Sequence, residues 1–257
     1  GTVHGVTRGL IHGPNHGVIV NTDGPNNVQL PLSYAEWLVA GLIVPSYYFR
    51  GQETSGNLVD DVQGVVAMAG AATPEYNQTI LGWDRGFLKL TETALEGFSG
   101  QADQLWNTNV QSVVYTFYFQ LVALPGALRV LAMLSGANGY VSMNGSGVLQ
   151  LRNSGVTTGA YNYDDGAMHF CRIGYQTGAG VLGHTGAGIY KCWTDKEVLT
   201  GTWEVIPDDI KGLGGTGAFT PPPAYYGAQE VYIGTDAEAV IALDATDMEG
   251  RGWTLAY

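Results

Sequence analysis

The sequence predicts an all-β fold, a sandwich of two antiparallel sheets. From residue 47 onward, short runs of β-branched and aromatic residues alternate with glycine, asparagine, aspartate or proline. Glycine contributes 38 of the 257 residues without a collagen-like period or a low-complexity block, which indicates many tight turns. No amphipathic helical pattern separates the runs, and this disfavours an α/β fold.

The N-terminal residues predict a separate segment. Residues 1–32 alternate glycine, histidine, asparagine and proline with short apolar pieces, which is typical of an extended arm. Ser33 and Glu36 form a capping box, so we expect one short helix over residues 34–43. The chain therefore divides into an arm and helix at 1–45, for attachment or oligomerisation, and a sandwich at 46–257.

The strongest strand signal is at residues 113–124, where aromatic and β-branched residues occupy both faces. This pattern indicates a central strand that is covered on both sides. A long surface loop is predicted at 211–223, because its glycines and prolines disfavour a ladder. Further strands are predicted at residues 47–49, 64–68, 79–83, 87–90, 127–134, 139–143, 147–152, 156–161, 167–175, 188–194, 230–234 and 239–243.

The two cysteines, Cys171 and Cys192, lie in the runs 168–175 and 188–194. These runs can pair as neighbouring antiparallel strands. The placement allows a disulfide, and it equally allows two reduced, buried thiols, since one pair does not define a redox compartment.

Charge and hydropathy exclude several functions. The net charge is -12, from 23 acidic and 11 basic residues, and an acidic surface repels phosphate backbones, so we expect no nucleic-acid partner. No apolar run approaches about 18 residues, so we expect no membrane insertion. The first residues show no basic stretch followed by an apolar core, and we expect no secretory signal.

Several short motifs resemble those of concanavalin A-like, laminin-G-type jelly rolls. The family's "D-G-x-W-H" strand entry matches Asp165-Gly166-Ala167-Met168-His169, with methionine in the tryptophan position. Its preceding strand, its hairpin partner and its later "l-x-I-G" strand match residues 148–151, 189–195 and 230–234. The resemblance covers residues 47–257 and implies a jelly-roll sandwich that binds sugars or proteins.

Enzymatic motifs are missing from the sequence. The glucanases of this superfamily carry an E-x-D-x-x-E or E-x-D-x-E strand that brings two carboxylates together, and no such spacing occurs here. No G-x-S-x-G elbow occurs, and the G-x-G-x-x-G strings at 178–183 and 212–217 do not precede a helical pattern. We therefore predict a protein that is not an enzyme and requires no cofactor.

Candidate binding residues lie in the predicted rim loops 155–165 and 211–226. We predict that Tyr161, Tyr163, Tyr225 and Tyr226 stack on a sugar. Asp164 and Asp165 are candidate ligands for Ca²⁺, which many laminin-G-like domains hold at the sandwich rim. Ordinary Asx-turn chemistry is the more frequent explanation for such aspartates.

An acidic, glycine-rich domain of this type behind a short arm resembles bacteriophage virion surface proteins, namely capsid decorations, head spikes and tail appendages. The resemblance implies a virion protein that is assembled in the host cytoplasm. It also implies that residues 1–45 contact other virion proteins, that the chain forms a homo-oligomer, and that the sandwich faces a host surface glycan. The alternatives are an extracellular bacterial lectin and, less favoured, a polysaccharide-degrading enzyme.

Overall fold

The computed structural model describes residues 43–51, 53–62, 66–71, 74–80, 86–93, 96–100, 112–135, 139–152, 155–176, 188–203, 212–214, 220–234 and 239–241. The predicted arm, and the predicted helix over 34–43 except its last residue, lie outside these ranges. No helix among the described residues is long and apolar enough to cross a membrane.

The described residues form sixteen β-strands. They are β1 (Tyr47–Phe49), β2 (Leu58–Val59), β3 (Val66–Ala71), β4 (Glu75–Thr79), β5 (Gly86–Leu90), β6 (Gly97–Gly100), β7 (Ser112–Leu121), β8 (Arg129–Ser135), β9 (Gly139–Met143), β10 (Val148–Arg152), β11 (Val156–Asn162), β12 (His169–Gln176), β13 (Gly188–Thr194), β14 (Val198–Trp203), β15 (Gly212–Gly214) and β16 (Ala224–Ile233).

The strands form two sheets, and their pairings are antiparallel. The first sheet has the order β14-β13-β12-β7-β16-β5-β4, with β1 also paired to β16. The second has the order β11-β10-β9-β8-β15-β6-β3-β2. The predicted two-sheet antiparallel sandwich is confirmed.

Strand β7 lies at the centre of the first sheet, between β12 and β16. One of its faces packs in the main core between the sheets through Tyr115, Phe117 and Phe119, and the other contributes Val114 and Tyr118 to a second apolar cluster. Nine of its ten residues are buried, so the predicted central strand with two covered faces is confirmed.

Chain segments outside the sheets cover the outer face of the first sheet. Ile43, Val240 and Ile241 pack in the second apolar cluster, which we call the outer cluster. Val44 packs on Tyr48. The residues just before the predicted domain boundary at 45 therefore contact the sandwich.

Three local predictions are wrong. The strand predicted over 79–83 is found at Glu75–Thr79, and Ile80 lies outside it. Residues 239–241 are helical, although a strand was predicted over 239–243, because a short apolar run does not distinguish a buried helix from a strand. Within the predicted loop 211–223, residues 212–214 form β15 between β6 and β8. Glycine-rich backbone can complete a ladder, since the ladder bonds use only main-chain groups.

A buried carboxylate lies on the outer face of the first sheet. Glu230 is 1% exposed, and its Oε2 accepts a hydrogen bond of 2.9 Å from the Tyr232 hydroxyl. Among the described residues its Oε1 has no hydrogen-bond partner. Burial raises the pKa of Glu230 to about 8, and the Tyr232 hydrogen bond offsets only part of that rise.

Replacing Glu230 by glutamine should flatten the pH dependence of stability. Its pKa rises from an ordinary 4.5 to about 8 on folding, so the unfolded chain loses the proton first and stability falls as pH rises across this window. In urea titrations, the free energy of unfolding of E230Q relative to that of the unaltered chain should rise by up to about 1.4 kcal/mol per pH unit between these pH values. The control is E75Q, at a half-exposed site. Equal slopes for the two variants would contradict the assignment.

The two cysteines lie on neighbouring strands, as predicted. Cys171 is opposite Thr194 and Cys192 is opposite Ile173, so the thiols are diagonal neighbours. Both are free and fully buried, with their sulfur atoms 3.6 Å apart. Burial, followed by the Cys192 thiol, raises the pKa of Cys171 well above its ordinary value.

Thiol titration of the unfolded, unreduced chain should detect two free thiols. Changing either cysteine to serine should lower the free energy of unfolding by about 1–3 kcal/mol, because it places a hydroxyl in an apolar core. The matched alanine variants separate lost packing from the polar penalty. Detection of no thiol would show that the pair is oxidised.

Candidate binding site at the sandwich rim

Four connections between strands meet at one end of the sandwich, which we call the rim. They are residues 122–128 after β7, 144–147 after β9, 163–168 after β11 and 195–197 after β13. Each contains proline, glycine, asparagine or aspartate, which favour turns.

Asn162, the last residue of β11, links three of these connections. Its Nδ2 donates to the Ser146 carbonyl at 2.6 Å, and its Oδ1 accepts from the Asp164 backbone N–H at 2.6 Å. Its own carbonyl accepts from Lys196 Nζ at 2.9 Å. Gly147, at φ 74°, lies against this amide, and a Cβ there would come within 3.0 Å of the Asn162 Oδ1. A larger residue at 147 would therefore disturb the link.

His169 is fully buried below the rim, with both ring nitrogens engaged. Nδ1 lies 2.9 Å from Asp195 Oδ2, and Nε2 lies 3.0 Å from Asp165 Oδ1. Tyr163 packs edge-on to the imidazole, with 4.9 Å between ring centroids. The histidine of the resembling motif is thus a hydrogen-bonding residue.

Asp165 is held by three donors. Besides His169, its carboxylate accepts from the Ala167 backbone N–H at 2.9 Å and from Lys196 Nζ at 2.7 Å. Partial burial by itself raises the pKa of Asp165. The contacts with Lys196, Ala167 and His169 lower it by more, so the pKa falls from 3.8 to about 2. Asp165 is therefore ionised throughout the physiological range.

Glu197 joins the edges of the two sheets beside the rim. Its Oε2 accepts from the Ala160 backbone N–H at 2.8 Å, and its Oε1 accepts from the Tyr163 hydroxyl at 3.2 Å. Its carboxyl group lies where a side chain of Gly159 would be, with an oxygen 2.2 Å from that Cβ position. Sequence reasoning missed Glu197, Asp195 and Lys196, although the polar triplet between two β runs marks them as a turn.

The predicted aromatic platform does not form. Tyr163 and Tyr226 are fully buried in the main core, and Tyr225 is half-buried against the outer cluster. A buried ring offers no face to a sugar, so the stacking predicted for Tyr163 and Tyr226 is incompatible with their positions. Tyr163 directly follows β11, and Tyr226 lies within β16 and not in a loop. Tyr161 is 50% exposed and is available for stacking.

The two predicted calcium ligands, Asp164 and Asp165, differ from each other in their surroundings. Asp164 is exposed, whereas both oxygens of Asp165 already accept hydrogen bonds. A calcium ion at Asp165 would have to displace the Lys196 ammonium group, so the described geometry does not fit the ion. In the described ranges, no group of three or more His, Cys, Asp or Glu residues could hold a metal.

No protein-family model and no curated protein matches the chain. Solved structures share its fold. Trypanosoma rangeli sialidase with the inhibitor DANA is 12% identical, with a TM-score of 0.56 over 89% of this chain and 36% of the sialidase chain. The same sialidase with sialic acid is 12% identical, with a TM-score of 0.53 over 80% and 32%. The chain thus spans about a third of the sialidase's length.

A further solved structure is domain 4 of a GH43 extracellular arabinanase from Geobacillus stearothermophilus, in complex with arabinotriose. It is 14% identical and has a TM-score of 0.48 over 74% of this chain and 92% of that domain. At 12% identity the sialidase comparisons show the β-sandwich fold alone.

Replacing Asp165 by asparagine should remove an acid-sensitive contribution to stability. The pKa of Asp165 falls from 3.8 to about 2 on folding, so its contribution is present above pH 3.8 and is lost as pH falls through about 2. At pH 6, D165N should be less stable by about 0.2–1 kcal/mol, the range for solvent-screened pairs. Chemical denaturation at several pH values measures the difference, which should shrink towards pH 2. D164N is the control, and a pH-independent difference for D165N would argue against the ionised contact.

Proposed function

We propose that this chain is a carbohydrate-binding β-sandwich domain that uses its rim and performs no catalysis. The observation that carries the proposal is the rim itself. Asn162 and Lys196 bind its connections to one another through hydrogen bonds of 2.6 to 2.9 Å, while Tyr161 and Asp164 stay exposed. Exposed groups on a rigid scaffold lose little conformational entropy when a ligand binds.

We propose no catalysis because His169 and Glu197 are already engaged in contacts within the protein. His169 is fully buried with a carboxylate at each nitrogen, and the oxygens of Glu197 already accept from Ala160 and Tyr163. A general acid or base must reach the proton it transfers, directly or through one water. These groups serve packing and hydrogen bonding in the positions described.

The finer proposal is a bacteriophage virion surface protein. It rests on the family resemblance and on the acidic charge of -12 behind a short arm. Residues 1–45 would contact other virion proteins in a homo-oligomer assembled in the host cytoplasm, and the rim would face a host surface glycan. The second candidate is an extracellular bacterial lectin, which the same rim suits.

A binding screen tests the carbohydrate proposal. Purified protein should bind members of an immobilised glycan panel, and the bound polysaccharides should keep their length during incubation. Binding without shortening is expected for a lectin-like domain. Release of oligosaccharides would show an enzyme, and a panel without any bound glycan would refute carbohydrate binding.

Deleting residues 1–32 distinguishes a virion surface protein from an extracellular lectin. The deletion keeps Ile43 and Val44, which pack on the sandwich, so the variant should fold. A virion protein should lose incorporation into particles while keeping glycan binding, because its attachment lies in the arm. Unchanged incorporation would contradict attachment through the arm.

A further inference from the structure

We infer that the glycan bound at the rim is electrically neutral and that it contacts Leu124, Asn162 and Asp164. This inference rests on the proposed carbohydrate-binding function and deepens it by naming the class of sugar. It combines an aliphatic surface, an exposed carboxylate and a set of neutralised cations, all at the same end of the sandwich.

The aliphatic surface is the connection 122–128. Of the seven large apolar side chains exposed among the described residues, three lie in this connection: Val122 at 45%, Leu124 at 46% and Leu128 at 37%. The connection contains no charged residue. An apolar surface of this type can cover the C–H face of a pyranose ring, as apolar linings do in ligand sites generally.

The connection is held in place and is not a frayed loop. The Val122 N–H donates to the Pro223 carbonyl at 2.8 Å, and the Val130 N–H donates to the Thr220 carbonyl at 2.9 Å. In the middle, the Gly126 N–H donates to Glu92 Oε1 at 3.0 Å. The exposure of its aliphatic side chains is therefore a property of the folded state, and exposed apolar clusters often mark binding surfaces.

Leu124 lies beside the polar groups of the rim. Its Cδ2 would be 3.0 Å from a Cβ on Gly147, and Asn162 Oδ1 would be equally close to the same point. Asn162 Oδ1 in turn accepts from the Asp164 N–H at 2.6 Å. Leu124, Asn162 and Asp164 thus follow one another across the rim. Asp164 is exposed, and a carboxylate of this kind can accept from two sugar hydroxyls.

The charges at the rim select against acidic sugars. The two cations that the described residues place there are already paired: Lys196 with Asp165 at 2.7 Å, and Arg129 with Glu92 at 2.7 Å. A sialic or uronic acid would bring its carboxylate towards Asp164 without a free cation to offset the repulsion, on a chain of net charge -12. A neutral sugar meets no such penalty.

The test compares matched probes, lactose-type oligosaccharides and their sialylated forms, together with neutral and uronic polysaccharides. We expect neutral glycans to bind at least about tenfold more tightly than their acidic counterparts. L124S and D164N should each weaken binding at least about fivefold, which corresponds to about 1 kcal/mol. V198S, at a residue equally exposed on β14, is the matched control and should bind normally.

The charge reversal D164K gives the sharpest result. It should shift the preference towards sialylated glycans, and melting curves of these exposed variants should stay unchanged. A preference of the unaltered chain for acidic glycans would overturn the charge argument. Glycan binding that L124S and D164N leave intact would overturn this site while the proposed function stands. A chain that binds no glycan refutes the proposed function and this inference together.

Discussion

The double burial of β7 is the constraint on which the rest of the structure depends. This strand pairs with β12 on one side and with β16 on the other, and apolar layers cover both of its faces. Its pairing with β12 places Phe119 opposite His169. The Phe119 ring then contacts Tyr163 at 5.7 Å and His169 at 5.5 Å between centroids. The register of the central strand therefore positions the buried base of the rim.

The outer face of the first sheet is a second interior that contains polar groups. Arg172, Thr116 and Glu230 are cross-strand neighbours on β12, β7 and β16, and all three are buried. The Arg172 guanidinium stacks on Trp193 at 4.1 Å and donates to the Val240 carbonyl at 2.9 Å. Burying such groups is costly unless they find partners. The helical residues 239–241 supply one of these partners, so they form part of the folded unit.

Rigidity and exposure are divided between the two sides of the rim. The carboxylates of Asp165, Asp195 and Glu197 contact His169, Lys196 and Tyr163, which locks the connections together. At the surface, the aliphatic connection 122–128 and Asp164 stay available. A surface prepared in this way can bind a small ligand without first being ordered.

The sequence by itself determined the all-β class, the central strand and the neighbouring strands of Cys171 and Cys192. These features depend on local periodicity and turn residues, which act over a few positions. Only the tertiary structure decided which tyrosines are exposed, because Tyr161 and Tyr163 have similar local sequence while just one faces solvent. It also decided the partners of Asp165 and His169, since Lys196 and Asp195 lie 31 and 26 residues further along the chain. Contacts of that range follow from strand order and register, and a local pattern does not encode them.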